Sequence, residues 1–164
     1  MNPVQGMDEL IKTLHKDHDI LILSGGYDDL IKRFLAKYNL THYIKELFAQ
    51  PTSIAENGQM TVHPIPKAWG GPCKSGGGII CKVSVMNYYL KDKKYDRIMY
   101  VGDGPNDVCP APFLRSNDLV CPRIEYKMEA MLKDYCVQAE IVPWNNGLDI
   151  LNHIRKWSTI FVII

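Results

Sequence analysis

Arg97-Ile98-Met99-Tyr100-Val101-Gly102-Asp103-Gly104-Pro105-Asn106-Asp107 is the stretch that decides the fold. Its first half is a continuous apolar run, the pattern of a strand buried on both faces, and strands of that kind belong to parallel sheets. Its second half turns sharply. Gly102 and Gly104 tolerate backbone angles closed to other residues, and Pro105 fixes its own φ. Asn106 or Asp107 stands where it would cap a helix predicted over residues 107–114. An acidic loop leaving the carboxyl end of a strand is where open α/β sheets hold ligands. Asp103 and Asp107, four residues apart, offer hard oxygen donors suited to Mg²⁺, which keeps several waters and completes its shell with phosphate oxygens. Gly, Asp, Asn and Pro are also ordinary turn formers, so a solvated turn competes with this reading until other sites join it.

Working outward, strand-like and helix-like segments alternate. A helix is predicted over residues 8–16, with Leu10, Ile11 and Leu14 on one side, followed by the buried strand Ile20-Leu21-Ile22-Leu23. Ser24-Gly25-Gly26 then reads as a turn, residues 28–38 as a second helix, and residues 46–49 as a short strand closed by Pro51. Asn57-Gly58, between Ile54 and Met60-Thr61-Val62, signals a two-residue hairpin and a small β excursion. Residues 63–78 shift to Pro, Gly, Lys and Trp without periodicity and are assigned to a long loop, a kind that tends to be functional. Beyond it come a helix over 79–90, strands at 97–101 and 118–121, a helix over 126–135, a strand at 140–142 and a helix over 148–157. The apolar tail, residues 160–164, is far below the roughly 18 residues of a spanning helix and is assigned to an edge strand or a sticky terminus. This alternation predicts a single α/β domain over residues 1–164, a Rossmann-like parallel sheet with flanking crossover helices.

Composition sets the outer bounds. The chain's 164 residues, 46% hydrophobic and 23% charged, suffice for one ordinary core. A formal net charge of +1, with no basic stripe and no Lys/Arg-rich amphipathic segment, points away from nucleic acid and membrane partners. Five cysteines are an odd number, and no charged stretch followed by an apolar one precedes them, which implies free thiols and a cytoplasmic setting. His63, Cys73 and Cys81 lack the tight spacing of a zinc knuckle.

Two further sites join the acidic turn. Ser24 and the N–H groups near Gly25 follow a strand and precede a helix, where they can point at an anion, although a plain capped turn has the same composition. Lys82 opens a helix after Gly76-Gly77-Gly78 and can offset phosphate charge, or can be a solvated helix lysine. A P-loop fails because Gly77 stands where its lysine is required, and a dinucleotide fingerprint fails because Asp107 takes the place of the third glycine.

In this order, Ser24, Lys82 and Gly102-Asp103-Gly104-Pro105-Asn106-Asp107 resemble motifs two, three and four of the haloacid dehalogenase-like phosphatases. The run from Gly102 through Asn106-Asp107-Val108-Cys109-Pro110, with Cys81-Lys82 after a Pro-Cys loop, is similar to the phosphoethanolamine/phosphocholine and pyridoxal-phosphate phosphatase family. The resemblance spans about residues 3–154. It implies a Mg²⁺-dependent phosphatase that hydrolyses a small phosphorylated metabolite through an aspartyl-phosphate. It further implies Asp103 as direct Mg²⁺ ligand and Asp107 as its support, directly behind it or through water. Ser24 and Gly25 would hold the phosphoryl group, Lys82 would offset charge, and Asn106 would position the loop together with Gly102 and Gly104. Cys109 and Pro110 mark the subfamily without a chemical role.

The departures are as informative. Relatives attack with the first Asp of an Asp-x-Asp motif on an N-terminal strand, and the second Asp acts as acid and base. No such strand or motif is expected here, nor the usual inserted cap, and Gly25 and Gly26 replace polar groups. Asp28 and Asp29 open a helix beyond the phosphate turn, unsuited to in-line attack. The expectation is therefore an N-terminally incomplete core that lacks its nucleophile, either inactive alone or a non-catalytic phospho-ligand-binding or subunit-pairing isoform. A lost first strand predicts an exposed sheet edge, and with it homo-oligomers or pairing through that edge.

Overall fold

The computed structural model describes residues 2–71, 80–154 and 161–164. Helix α1 (Met7–Leu14) presents Leu10, Ile11 and Leu14 inward, and Asp8 and Lys12 pair across one turn on the outside at 3.0 Å. Strand β1 (Ile20–Tyr27) leads into α2 (Asp28–Lys37), and β2 (Glu46–Gln50) follows. The small antiparallel hairpin of β3 (Thr52–Ile54) and β4 (Met60–Val62) then departs from the sheet. Next come α3 (Lys82–Leu90), β5 (Ile98–Gly102), β6 (Leu119–Pro122), α4 (Lys127–Leu132), β7 (Glu140–Ile141), α5 (Gly147–Ile154) and β8 (Phe161–Ile163).

The main sheet has the order β2-β1-β8-β5-β6-β7, and every pairing in it is parallel. Period-two alternation sorts its side chains into two apolar layers. Tyr100 and Ile163 face a cluster with Val85, Met86 and Met128 of α3 and α4. Met99, Val101 and Val162 face Leu10, Leu35 and Ile150 of α1, α2 and α5. The predicted α/β class and its Rossmann-like parallel sheet are what the chain forms. Among the described residues, no helix is long and apolar enough to cross a membrane.

Four expectations need correction. The tail is no edge strand. β8 lies in the middle, with Ile20 and Leu21 of β1 opposite Val162 and Ile163 on one side, and Met99 and Tyr100 of β5 opposite the same pair on the other. The sheet therefore has no open slot beside β1, and its edges are β2 and β7. Ser24-Gly25-Gly26 is not a turn but an irregular part of β1. The chain takes four steps from Leu23 to Tyr27 where β2 takes two from Phe48 to Gln50, a bulge that glycines tolerate.

The helix expected over 107–114 is replaced by two single 3₁₀ turns, Pro105–Asp107 and Ala111–Phe113, because Pro110 and Pro112 lack the amide donors that a continuous helix needs. The Asn57-Gly58 hairpin is wider than two residues. The Gly58 amide donates to the Ala55 carbonyl at 2.9 Å, and the Gln59 amide to the Asn57 side chain at 3.0 Å, with Gly58 at φ 84°. The first part of the predicted 63–78 loop holds a 3₁₀ turn, Lys67–Trp69. Residues 72–78 of that loop, with Cys73 and Gly76-Gly77-Gly78, lie outside the described residues, as do residues 155–157 of the last predicted helix and residue 160 of the tail.

Candidate active site

The parallel sheet directs the carboxyl ends of β1, β8 and β5 to one side, and a cavity of about 380 Å³ opens there. Ser24, Lys82, Gly102, Asp103 and Asp107 line it together, so residues far apart in sequence share one site. Gly25, Gly104 and Asn106, predicted as neighbours of these groups, are not among its lining residues.

Asp107 organises the site from beneath. It is buried, and its Oδ1 accepts from the Lys82 ammonium and from the Tyr100 hydroxyl at 2.9 Å. Its Oδ2 accepts from the backbone amides of Asp103 at 3.2 Å and Gly104 at 2.8 Å. Four donors saturate this carboxylate, which fixes the loop behind Asp103 and leaves no oxygen lone pair pointing freely at a ligand. Lys82 is buried as the first residue of α3, and its only described ion pair is to Asp107. Gly102 has to be glycine for this packing, since a Cβ there would lie 2.5 Å from the Asp107 Cβ and 2.8 Å from the Met128 Sδ.

Asp103 differs from its partner. It is exposed, and its carboxylate makes no hydrogen bond or ion pair among the described residues. Its carbonyl instead takes the Met128 amide at 3.0 Å, which anchors the loop to α4. Ser24 Oγ accepts the Gly26 amide at 3.0 Å, an arrangement that settles the hydroxyl's lone pair and leaves its proton to donate outward. The exposed Asp103 carboxylate and the Ser24 hydroxyl are the hard-oxygen donors that the cavity offers, with Asp107 fixing the loop behind them. That set fits an ion such as Mg²⁺, which takes one or two protein carboxylates and fills its remaining positions with water and phosphate. No group of three His, Cys, Asp or Glu capable of enclosing a metal occurs among the described residues.

The chain contains one Asp-x-Asp spacing, Asp17-His18-Asp19, but it precedes a strand instead of leaving the carboxyl end of one. It lies at the amino end of β1, opposite the cavity, where Asp19 takes the Tyr95 hydroxyl at 2.8 Å and pairs with Lys45 at 3.3 Å. Asp28 accepts from the Thr52 amide and hydroxyl at 2.8 and 2.7 Å and from Lys32 at 2.6 Å. Burial opposes ionisation of its carboxyl, but the Lys32 and Thr52 hydrogen bonds outweigh that and hold it down at about 2. Neither Asp28 nor Asp29 lines the cavity. Among the described residues, Cys121 and Cys136 are free thiols, the first buried and the second exposed.

Among the lining residues that sequence reasoning missed, three bear on the chemistry. Ile164 follows β8 at the centre of the strand ends, its amide donating to the Leu21 carbonyl and its carbonyl accepting from the Leu23 amide, both at 2.9 Å. Asp8 of α1 also lines the cavity, engaged by Lys12. Arg123, one residue past β6, is the third. Its position at a strand end beside β5 was the available signal.

Parallel strands that deliver Ser24, an exposed Asp103 and a buried Lys82–Asp107 pair to one cavity match the architecture of a haloacid dehalogenase-like phosphatase core. The chain belongs to the Putative Phosphatase family, whose model matches residues 1–158. It is 29% identical over 163 residues to pyridoxal phosphate phosphatase PHOSPHO2 of Bos taurus, covering 92% of this chain and 66% of that protein. Its identity to the PHOSPHO2 of Rattus norvegicus is 31%, with the same coverage. Against the phosphoethanolamine/phosphocholine phosphatase of Gallus gallus it is 27% identical, covering 92% of this chain and 60% of the relative. The chain thus spans slightly under two thirds of the length of these relatives.

Proposed function

We propose that residues 1–164 form the phosphate- and Mg²⁺-binding part of a phosphatase for a small phosphomonoester of the phosphoethanolamine, phosphocholine or pyridoxal phosphate type. The observation that carries this is the convergence of Ser24, Lys82 and Asp103 on one cavity. The names of the relatives support the same substrate class.

The roles follow from the chemistry of each group. The Ser24 hydroxyl donates to a phosphoryl oxygen. Lys82, held in place by Asp107, supplies a fixed positive charge to the phosphate-facing side. Asp103 is the direct ligand for Mg²⁺, and Asp107 acts behind it by pinning the Asp103 and Gly104 amides. When bound, Mg²⁺ would polarise phosphoryl oxygens and offset their charge.

Attack on phosphorus needs a nucleophile in line with the leaving oxygen at roughly 3 Å. Among the described residues the side-chain carboxylates lining the cavity are Asp8, Asp103 and Asp107; Asp8 is paired with Lys12 and Asp107 is saturated. The strand end between Ser24 and Asp103 carries Ile164, whose side chain is a hydrocarbon. On this reading no side chain lining the cavity among the described residues is placed as the nucleophile, and the described site binds the phosphoester without turning it over.

The test is to incubate the purified chain with Mg²⁺ and pyridoxal phosphate or phosphoethanolamine, following both orthophosphate release and the thermal midpoint. The expected result is a Mg²⁺-dependent rise in the midpoint, lost in Asp103→Asn, with no release. Release that disappears in Asp103→Asn would overturn the claim about the nucleophile. Absence of both protection and release would overturn the phosphate site itself.

A further inference from the structure

The cavity holds a second cation whose charge no described carboxylate cancels. Arg123 follows β6 directly, and its amide donates to the Gly102 carbonyl at 2.9 Å, which sets it beside Asp103 on the neighbouring strand. No ion pair joins Arg123 to Asp103 among the described residues. Its guanidinium instead lies 4.3 Å from the Tyr126 ring centroid and 5.3 Å from that of Trp144. Trp144 is itself fixed, buried, bridged to Arg123 through the backbone, and donating its indole N–H to the Cys121 carbonyl at 2.8 Å. Aromatic faces satisfy the flat surfaces of a guanidinium and leave its N–H edge, the part that forks onto oxyanions, available.

Charge in the cavity points the same way. Lys82 is engaged by Asp107 and Asp8 by Lys12, so among the described residues Arg123 is the lining cation with no carboxylate partner, available to a dianionic phosphate beside the ion on Asp103. We propose that Arg123 is a phosphate-binding residue of this site, its guanidinium donating to phosphoryl oxygens on the side away from Ser24. This rests on the phosphate-site reading above and adds a residue to it. The rings of Tyr126 and Trp144 act as positioning residues by holding the guanidinium rigid before the anion arrives, which lowers the entropy lost on binding.

The experiment is calorimetric titration of orthophosphate into the purified chain in saturating Mg²⁺, comparing wild type, Arg123→Gln, Arg123→Lys and Asp103→Asn. A charge-assisted bidentate contact predicts that Arg123→Gln weakens phosphate at least about tenfold. Arg123→Lys should recover part of the loss, because it restores charge but not the fork. Mg²⁺ affinity measured without phosphate should stay within about twofold for both Arg123 variants, which a merely structural role, acting through the Gly102–Asp103 loop, would not leave intact. Phosphate binding equal to wild type in Arg123→Gln, alongside weakened binding in Asp103→Asn, would overturn this inference and leave the phosphate site standing. No phosphate binding by the wild type would overturn both.

Discussion

Asp107→Ala should be among the most damaging substitutions in the molecule, and its size can be worked from the pair it breaks. The Lys82 and Asp107 side chains are 8% and 7% exposed, so removing the carboxylate strands an ammonium where water cannot solvate it. Breaking a buried ion pair by deleting one partner costs about 3–5 kcal/mol. The Tyr100 hydroxyl and the Asp103 and Gly104 amides lose their acceptor as well, but these losses overlap with the first and do not add in full. The expected loss is about 4 kcal/mol, a large part of the roughly 5–15 kcal/mol that holds a domain folded. Urea unfolding in a stabilising osmolyte reads it. Lys82→Met leaves Asp107 with three neutral donors and should cost about 2 kcal/mol, less than the converse change. In the double variant Lys82→Met/Asp107→Leu no buried charge is left alone, and it should be more stable than Asp107→Ala by about 2 kcal/mol. If Asp107→Ala falls within about 1 kcal/mol of wild type, or if the double variant is as unstable as the two singles combined, the pair is not the buried keystone described here.

Further outcomes follow from other parts of the structure. Ile163→Ala, in the central strand at 2% exposure, should cost about 2–4 kcal/mol in urea unfolding, whereas Ile141→Ala, at 47% exposure on edge strand β7, should cost about 0.5 kcal/mol or less; equal effects would contradict the central place of the tail. Gly102→Ala forces a methyl group against Asp107 and Met128, and should destabilise by about 1–3 kcal/mol while weakening Mg²⁺ binding through the displaced loop; unchanged Mg²⁺ affinity by titration would refute that coupling. Asp28 titrates at about 2 in the folded protein, below its ordinary 3.8, so its stabilising contribution is complete above pH 4 and is lost as pH falls from about 4 to about 2. Acid unfolding of Asp28→Asn should accordingly be less steep over that window than that of wild type, and superimposable curves would refute the assignment.

The alternation of elements was legible because buried strands and amphipathic helices carry different periods, and the apolar run 98–101 with its acidic exit located β5 and its ligand-bearing loop directly. The convergence of Ser24, Lys82 and Asp103 was legible through their order along the chain, since the crossover rule places successive strand ends on the same side. The position of β8 was not. A three-residue apolar segment has the same composition at an edge as at the centre, and only its two sets of partners, Ile20-Leu21 and Met99-Tyr100, distinguish the cases. The bulge at Ser24 was read as a turn because glycines serve both, and the difference lies in continued pairing at Tyr27 and Gln50. Asp107 was expected near the metal as a supporting ligand. Its four hydrogen bonds, invisible in the sequence, add that it shapes the loop carrying Asp103. Arg123 escaped notice because its meaning depends on Tyr126 and Trp144, which meet it only in the folded chain.

The central claim is that a divalent ion on Asp103 and a phosphate held by Ser24 and Lys82 occupy the same cavity, and phosphorus NMR with Mn²⁺ in place of Mg²⁺ tests it most directly. Mn²⁺ suits the same carboxylate and water ligands, and its unpaired electrons relax any phosphorus nucleus bound close by. Orthophosphate relaxation should be strongly enhanced when the protein and Mn²⁺ are both present, and should fall to the protein-free level in Asp103→Asn. Enhancement in the wild type no greater than that of Mn²⁺ and phosphate without protein, or full enhancement surviving Asp103→Asn, would contradict the shared site.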